Sequence, residues 1–173
     1  ASLAYQFKLN RPDILRAVQI YFPQMLASVD HIKFDLTVWD DNGGRPGTII
    51  YQKEVTPRHT ENGEYHYYYL DSILQINNYI FYVGWVQQTD DLLNVGLDKN
   101  KSANQYMFYN TGSGWNNSSF SSALMIRPII SQHEVILNQS NTSANRFLIH
   151  PNPANDVLFV KSLSDNNLLS IYS

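Results

Sequence analysis

Three tyrosines at alternate positions, Tyr65, Tyr67 and Tyr69, are the residues whose types and spacing point most directly to binding. Side chains at alternate positions of a β-strand share one face, so these rings form one row. Aromatic rings stack on the apolar C–H faces of sugars, and amide groups hydrogen-bond the hydroxyls. Trp115 and Asn116, in a loop rich in Gly, Ser and Asn, offer the same chemistry. The pattern predicts glycan contact; the alternative is that the tyrosine rows are core and ordinary sheet surface and Trp115 packs beneath its loop.

Asp40, Asp41 and Asn42 bring oxygen ligands of the type that Ca²⁺ prefers into a glycine-rich turn. A similar set occurs at Asp98, Asn100 and Ser102. Neither set is an EF-hand, because a tyrosine stands where that loop carries its bidentate glutamate. The sequence predicts either an ordinary turn formed by Asp, Asn and Gly or a structural calcium ion bound there, and no other cofactor.

No constellation in the sequence predicts catalysis. The five histidines are not spaced for zinc, and the absence of cysteine excludes a thiolate nucleophile or ligand. Residues 112–114 lack the spacing of a serine nucleophile elbow, and no phosphate-binding glycine motif occurs. The acidic residues Asp90, Asp91, Glu61 and Glu64 are expected to be solvated rather than a glycosidase pair. We therefore expect the chain not to be an enzyme.

The composition describes a domain-sized polypeptide with a substantial core. The chain has 173 residues, 43% of them hydrophobic and 16% charged, with a formal net charge of -3. This charge gives no basic surface for a nucleic-acid backbone. The apolar runs are too short to cross a bilayer, so no transmembrane segment is expected. Because the sequence starts at Ala1 without a leader, we expect an excised piece of a longer protein.

The elements that must position these residues are predicted to be β-strands. Alternation is clearest at residues 31–38, and a turn of about eight residues leads to a strand at 48–55, as a hairpin or a corner between sheets. Residues 79–87 are apolar on both faces, which predicts a central strand. Further strands are predicted at residues 3–9, 65–71, 92–97, 105–109 and 123–130. About nine short strands without a convincing helix predict an all-β fold: an antiparallel two-sheet β-sandwich, jelly-roll-like, with a short β extension at the C-terminus.

Residues 13–30 have an apolar spacing that fits both a helix and a strand. Pro23 would break the helical hydrogen-bond ladder, which favours a strand that ends there. The residues expected to share its buried face are Ile14, Val18, Ile20 and Phe22.

The composition changes after residue 131. Residues 132–145 are polar and predict a linker between a module at 1–131 and a second unit at 146–173. In the second unit, two prolines flanking an asparagine remove two backbone donors and fix their φ angles, which makes a rigid corner between strands. The corner consists of Pro151, Asn152, Pro153, Ala154, Asn155 and Asp156.

This corner and the apolar strand after it resemble the opening of the C-terminal sorting domain of the type IX secretion system, the type A Por secretion tail of Bacteroidota. The resemblance implies export by the type IX secretion machinery through the complete tail, to the medium or the outer-membrane cell surface. Family tails are immunoglobulin-like sandwiches, so residues 146–173 correspond to the N-terminal part of a truncated sorting domain.

Residues 1–131 are similar to jelly-roll-like modules that precede this tail in large surface proteins of that phylum. The similarity lies in residues 15–22, 38–47 and 81–85, and it implies an accessory module. We expect a noncatalytic binding or adhesion module of a larger secreted or cell-surface protein, with an extracellular glycan or protein as its partner. The alternative is a structural spacer for a catalytic domain, for example a peptidase, elsewhere in the parent protein.

Overall fold

Antiparallel β-strands make up nearly all the regular structure of this chain. The computed structural model describes residues 1–23, 31–60, 63–90, 93–131, 147–150, 157–162 and 168–172. The chain divides into two units, Ala1–Val135 and Ile136–Ser173. Among the described residues, no helix is long and apolar enough to cross a membrane.

The larger sheet of the first unit has six antiparallel strands. In spatial order they are β4 (Pro46–Val55), β3 (Phe34–Asp41), β6 (Ile80–Val86), β1 (Ser2–Lys8), β8 (Met107–Asn110) and β9 (Asn116–Asn117). A short 3₁₀ turn, Asn104–Tyr106, leads into β8.

A smaller antiparallel sheet supplies the second layer. Its three strands are ordered β11 (Ile126–Ile130), β2 (Asp13–Ile20) and β5 (His66–Ile76). Two very short strands, β7 (Leu97–Asp98) and β10 (Ala123–Leu124), pair with each other just before β11 begins. The chain passes repeatedly from one layer to the other, as in jelly-roll-like sandwiches.

The two layers pack face to face through one apolar core. Along β3 and β6 its members occupy alternate positions, as expected when one face of a sheet is buried. They include Leu15, Val18 and Ile20 of β2, Phe34, Leu36 and Val38 of β3, Tyr68 and Ile76 of β5, and Phe81, Val83 and Trp85 of β6. Burying a side chain of this size contributes about 1.5–3 kcal/mol, so this cluster provides the main driving force for folding. The predicted all-β sandwich is confirmed.

Strand β6 is the centre of the larger sheet, as the sequence predicts. It pairs with β1 on one side and β3 on the other, and residues 81–85 are buried on both faces. A Cβ atom at Gly84 would lie 1.9 Å from the carbonyl oxygen of Leu3. The β1 and β6 backbones therefore approach at a distance that only glycine permits at this position.

Strand β2 confirms the strand interpretation of residues 13–20 and corrects the predicted buried face. Leu15 is fully buried, whereas Ile14 remains half-buried. The register with β5 shifts between Leu15 and Ala17. This bulge changes which residues point inward, an outcome that simple alternation cannot anticipate.

The turn between β3 and β4 is shorter than predicted. The two strands form the expected antiparallel pair, but they extend to Asp41 and start again at Pro46, so only residues 42–45 connect them. Hydrogen bonds across the turn explain the extension, because Asn42 N donates to Arg45 O over 2.9 Å. The strand predicted at residues 92–97 is confined to Leu97–Asp98 among its described residues.

The second unit is a three-stranded antiparallel sheet. Its order is β12 (Phe147–His150), β13 (Val157–Ser162) and β14 (Leu168–Tyr172). Strands β13 and β14 agree with the short β extension predicted at the C-terminus. The predicted linker at 132–145 and the corner at Pro151, Asn152, Pro153, Ala154, Asn155 and Asp156 lie outside the described residues.

Candidate functional site

The outer surface of the smaller sheet carries the tyrosine row found in the sequence. Tyr68 belongs to the core, so Tyr67 and Tyr69 point away from it. Strand pairing forms two rows across β5, β2 and β11. The first row consists of Tyr67, Gln19 and Arg127. The second consists of Tyr69, Ala17 and Ile129. We call the surface formed by Tyr65, Tyr67, Tyr69, Gln19 and Arg127 the tyrosine face.

The rings of the tyrosine face are ordered by contacts with one another. Tyr67 and Tyr69 stack with ring centroids 5.9 Å apart and planes inclined by only 12°. Tyr69 is 49% exposed, while Tyr65 and Tyr67 are half-buried. The stacked pair is therefore both ordered and accessible. An aromatic ring needs these two properties to stack on a sugar ring.

Arg127 extends over the same surface. Its guanidinium carbon lies 4.0 Å from the centroid of the Tyr65 ring, within the range of a cation–π interaction. Tyr21, which directly follows β2, also packs against Tyr65, with ring centroids 6.2 Å apart. Sequence reasoning identified the tyrosines and missed Gln19 and Arg127, because these residues join the face only through strand pairing that no local pattern encodes.

Trp115 belongs to the opposite outer surface of the sandwich. It packs against Trp39 with centroids 5.4 Å apart and rings nearly perpendicular. Trp39, Tyr82, Phe108 and Ala4 form a second buried cluster on the side of the larger sheet that faces away from the core. The structure therefore separates Trp115 and Asn116 from the tyrosine face, with both layers of the sandwich between them.

The Trp115 loop is anchored by polar contacts. Arg45 Nη1 donates to the Trp115 carbonyl oxygen over 2.6 Å, and Asn116 Nδ2 donates to Gly114 O over 3.1 Å. The Trp115 ring is half-buried, while Asn116 is exposed. Trp115 acts as the plug beneath its loop that the sequence left as one alternative, although part of its ring still reaches the surface.

The candidate calcium residues accept hydrogen bonds from the protein. Asp40 Oδ1 accepts from Thr48 N, and Asp41 Oδ1 accepts from Gly44 N over 3.1 Å and from the Tyr82 hydroxyl over 2.7 Å. Burial and the neighbouring Asp41 carboxylate raise the pKa of Tyr82 above its ordinary value. Within the described part of the chain, no three His, Cys, Asp or Glu side chains gather as metal ligands. Calcium at Asp40, Asp41 and Asn42 stays a prediction.

The structure describes two of the four acidic residues that the sequence offered as a pair. Asp90 and Glu64 are exposed, while Asp91 and Glu61 lie outside the described residues. Asp98 Oδ1 accepts a hydrogen bond from Asn100 N over 2.9 Å, which is a turn contact.

A link between the layers lies at the edge formed by β4 and β5. The Tyr51 hydroxyl donates to Asp71 Oδ1 over 2.9 Å, and Lys53 Nζ lies 3.8 Å from Asp71 Oδ2. Burial raises the pKa of Tyr51 to about 12, and the hydrogen bond from Tyr51, helped by Lys53, lowers the pKa of Asp71. This cluster joins two edge strands, one from each layer, so we interpret it as structural.

No protein-family model, no curated protein and no solved structure matches this chain.

Proposed function

We propose that this chain is a noncatalytic binding or adhesion module of a larger extracellular protein and that its tyrosine face contacts glycan. The observation that carries the proposal is the stacked pair of Tyr67 and Tyr69 on an outward sheet surface. The pair is preorganised, so binding does not have to order these side chains. Gln19 lies in the same row as Tyr67 and supplies an amide for sugar hydroxyls.

The resemblance of the C-terminal segment supports the cellular setting that we propose. We infer that the complete parent protein is exported by the type IX secretion machinery and is secreted or held at the outer-membrane cell surface. Extracellular polysaccharides are then the abundant ligands that the module encounters. The test of this setting is fractionation of the parent protein in cells with and without a working type IX system.

A pull-down with insoluble polysaccharides tests glycan binding directly. We expect the wild-type chain to sediment with at least one polysaccharide of a neutral and acidic panel, and the Tyr69→Ala variant to lose about 1–3 kcal/mol of binding free energy through lost stacking. Tyr79→Ala is the matched control, because Tyr79 is 56% exposed and lies outside the tyrosine face. Equal loss in both variants, or no sedimentation of wild-type protein, would contradict the proposal.

The second candidate function is a structural spacer that supports a catalytic domain elsewhere in the parent protein. The packing of Trp115 on Trp39 and the hydrogen bond from Arg45 to the Trp115 carbonyl favour it, because both contacts anchor the loop and neither presents the Trp115 ring to a ligand. A spacer predicts that neither Tyr69→Ala nor Trp115→Ala changes any binding, while removal of the module lowers the stability of the catalytic domain.

A further inference from the structure

Arg127 gives the tyrosine face a positive charge beside Tyr65. The strand order β11-β2-β5 places β2 between Arg127 and Tyr65. For its guanidinium to lie 4.0 Å from the Tyr65 centroid, the Arg127 side chain must therefore extend across β2. This position brings the charge to the end of the smaller sheet where β2 ends and β5 begins, beside the row that contains Gln19 and Tyr67.

This charge has no carboxylate partner in the part of the chain that the structure describes. The ion pairs there join Lys33 to Glu54 and Lys53 to Asp71, and both involve other strands. A guanidinium on an aromatic face keeps its outward N–H groups available, because the ring contacts only its plane. Arg127 is thus an exposed fork of donors beside a stacked aromatic pair.

We propose that the ligand of the tyrosine face is an acidic polysaccharide, with Arg127 binding the carboxylate of a uronic acid while Tyr67 and Tyr69 stack on sugar rings. The inference rests on the proposed function and adds the chemical class of the glycan. A guanidinium fork matches a carboxylate in geometry and charge, and such charge-assisted hydrogen bonds are about twice as strong as neutral ones. The chain has a formal net charge of -3, so the attraction is local to Arg127 and weakens with added salt.

The experiment compares two forms of one polysaccharide that differ only in the carboxylate. Polygalacturonate and its highly methyl-esterified counterpart share the same sugar backbone, and esterification removes the charge. Affinity is measured by electrophoresis through gels that contain each polymer, for wild-type protein, Arg127→Gln, Tyr69→Ala and Arg11→Gln. Arg11 is exposed and lies in the connection from β1 to β2, so its variant makes the same change of charge elsewhere.

We expect wild-type protein to bind the acidic polymer at least about tenfold more tightly than the ester, corresponding to one charge-assisted contact. Arg127→Gln should remove this preference, Arg11→Gln should retain it, and Tyr69→Ala should weaken binding to both polymers. Circular dichroism spectra identical to wild type would show that each variant is folded.

Two results would overturn the acidic class and leave glycan binding intact. One is equal binding of acid and ester that Tyr69→Ala abolishes; the other is a preference for acid that Arg127→Gln retains. Binding of poly-L-glutamate as tight as that of polygalacturonate would overturn it as well, since it would indicate a general anion surface. Failure of wild-type protein to bind any polysaccharide would overturn both this inference and the proposed function.

Discussion

The hydrogen bond between Tyr82 and Asp41 shows how a single residue connects the turn to the sheet. Tyr82 is fully buried, and its hydroxyl both donates to Asp41 Oδ1 and accepts from Gln6 Nε2. Asp41 also accepts from Gly44 N, so one carboxylate holds the turn and the central strand together. In the sequence, Asp41 is one of three oxygen-bearing residues in a turn; the contact with Tyr82 gives it a structural role.

We expect Asp41→Ala to lower the free energy of unfolding by about 1–3 kcal/mol, because the buried Tyr82 hydroxyl loses its acceptor. Tyr82→Phe should lower the free energy of unfolding by less than Asp41→Ala, because it removes the buried hydroxyl itself and leaves no unsatisfied donor. Urea denaturation of both variants and of the double variant measures the coupling between the two side chains. Additive effects of the two substitutions would show that this hydrogen bond does not contribute as described.

At the scale of elements, alternation predicts where strands lie better than how they pair. Strands β3 and β6 follow from residues that are apolar at alternate positions or on both faces. The exchange of Leu15 for Ile14 in the core could not be predicted, because it depends on a bulge opposite β5. The separation of Trp115 from Tyr69 was equally inaccessible, since it depends on the sheet to which each segment is added.

The link between β4 and β5 makes stability depend on pH at the alkaline end. The pKa of Tyr51 is raised to about 12 in the folded protein against an ordinary value of 10.0. A raised pKa means that the neutral phenol stabilises the fold fully below pH 10 and that this contribution is lost as the pH rises through 12.

We therefore expect the free energy of unfolding to fall between pH 10 and 12, and to fall less in Tyr51→Phe, which has no phenol to ionise. Urea denaturation across this range provides the measurement. Tyr79→Phe is the control, because Tyr79 is exposed and lies outside the link, and its curve should follow that of wild type. Identical slopes for wild type and Tyr51→Phe would contradict the assignment.

At the scale of the whole molecule, the two outer surfaces of the sandwich differ in how far their aromatic rings are exposed. The tyrosine face leaves aromatic rings and Arg127 open to solvent, whereas the opposite surface buries Trp39, Tyr82 and Phe108 beneath the Trp115 loop. The first arrangement leaves stacked aromatic rings accessible, and the second covers most of its aromatic area. The sandwich therefore has one surface with accessible rings, where we propose that glycan binds, and one surface whose rings are covered, a distinction visible only after the strands are assembled.

Among the residues whose burial the structure describes, the members of the main core cluster and the residues packed against it lie between Leu3 and Ile130. The first unit thus contains both layers that bury its apolar surface, and we expect a fragment of residues 1–135 to fold by itself. Its thermal unfolding should be cooperative, because its core is complete. Circular dichroism and tryptophan fluorescence both follow this transition, since the chain's three tryptophans, Trp39, Trp85 and Trp115, all lie within the fragment.

A shorter fragment provides the control. A fragment ending at residue 110 lacks β11 and the core residues Leu124 and Ile126, so it should lose this transition. A broad, noncooperative transition in the longer fragment would mean that the sandwich depends on residues beyond 135 for its stability.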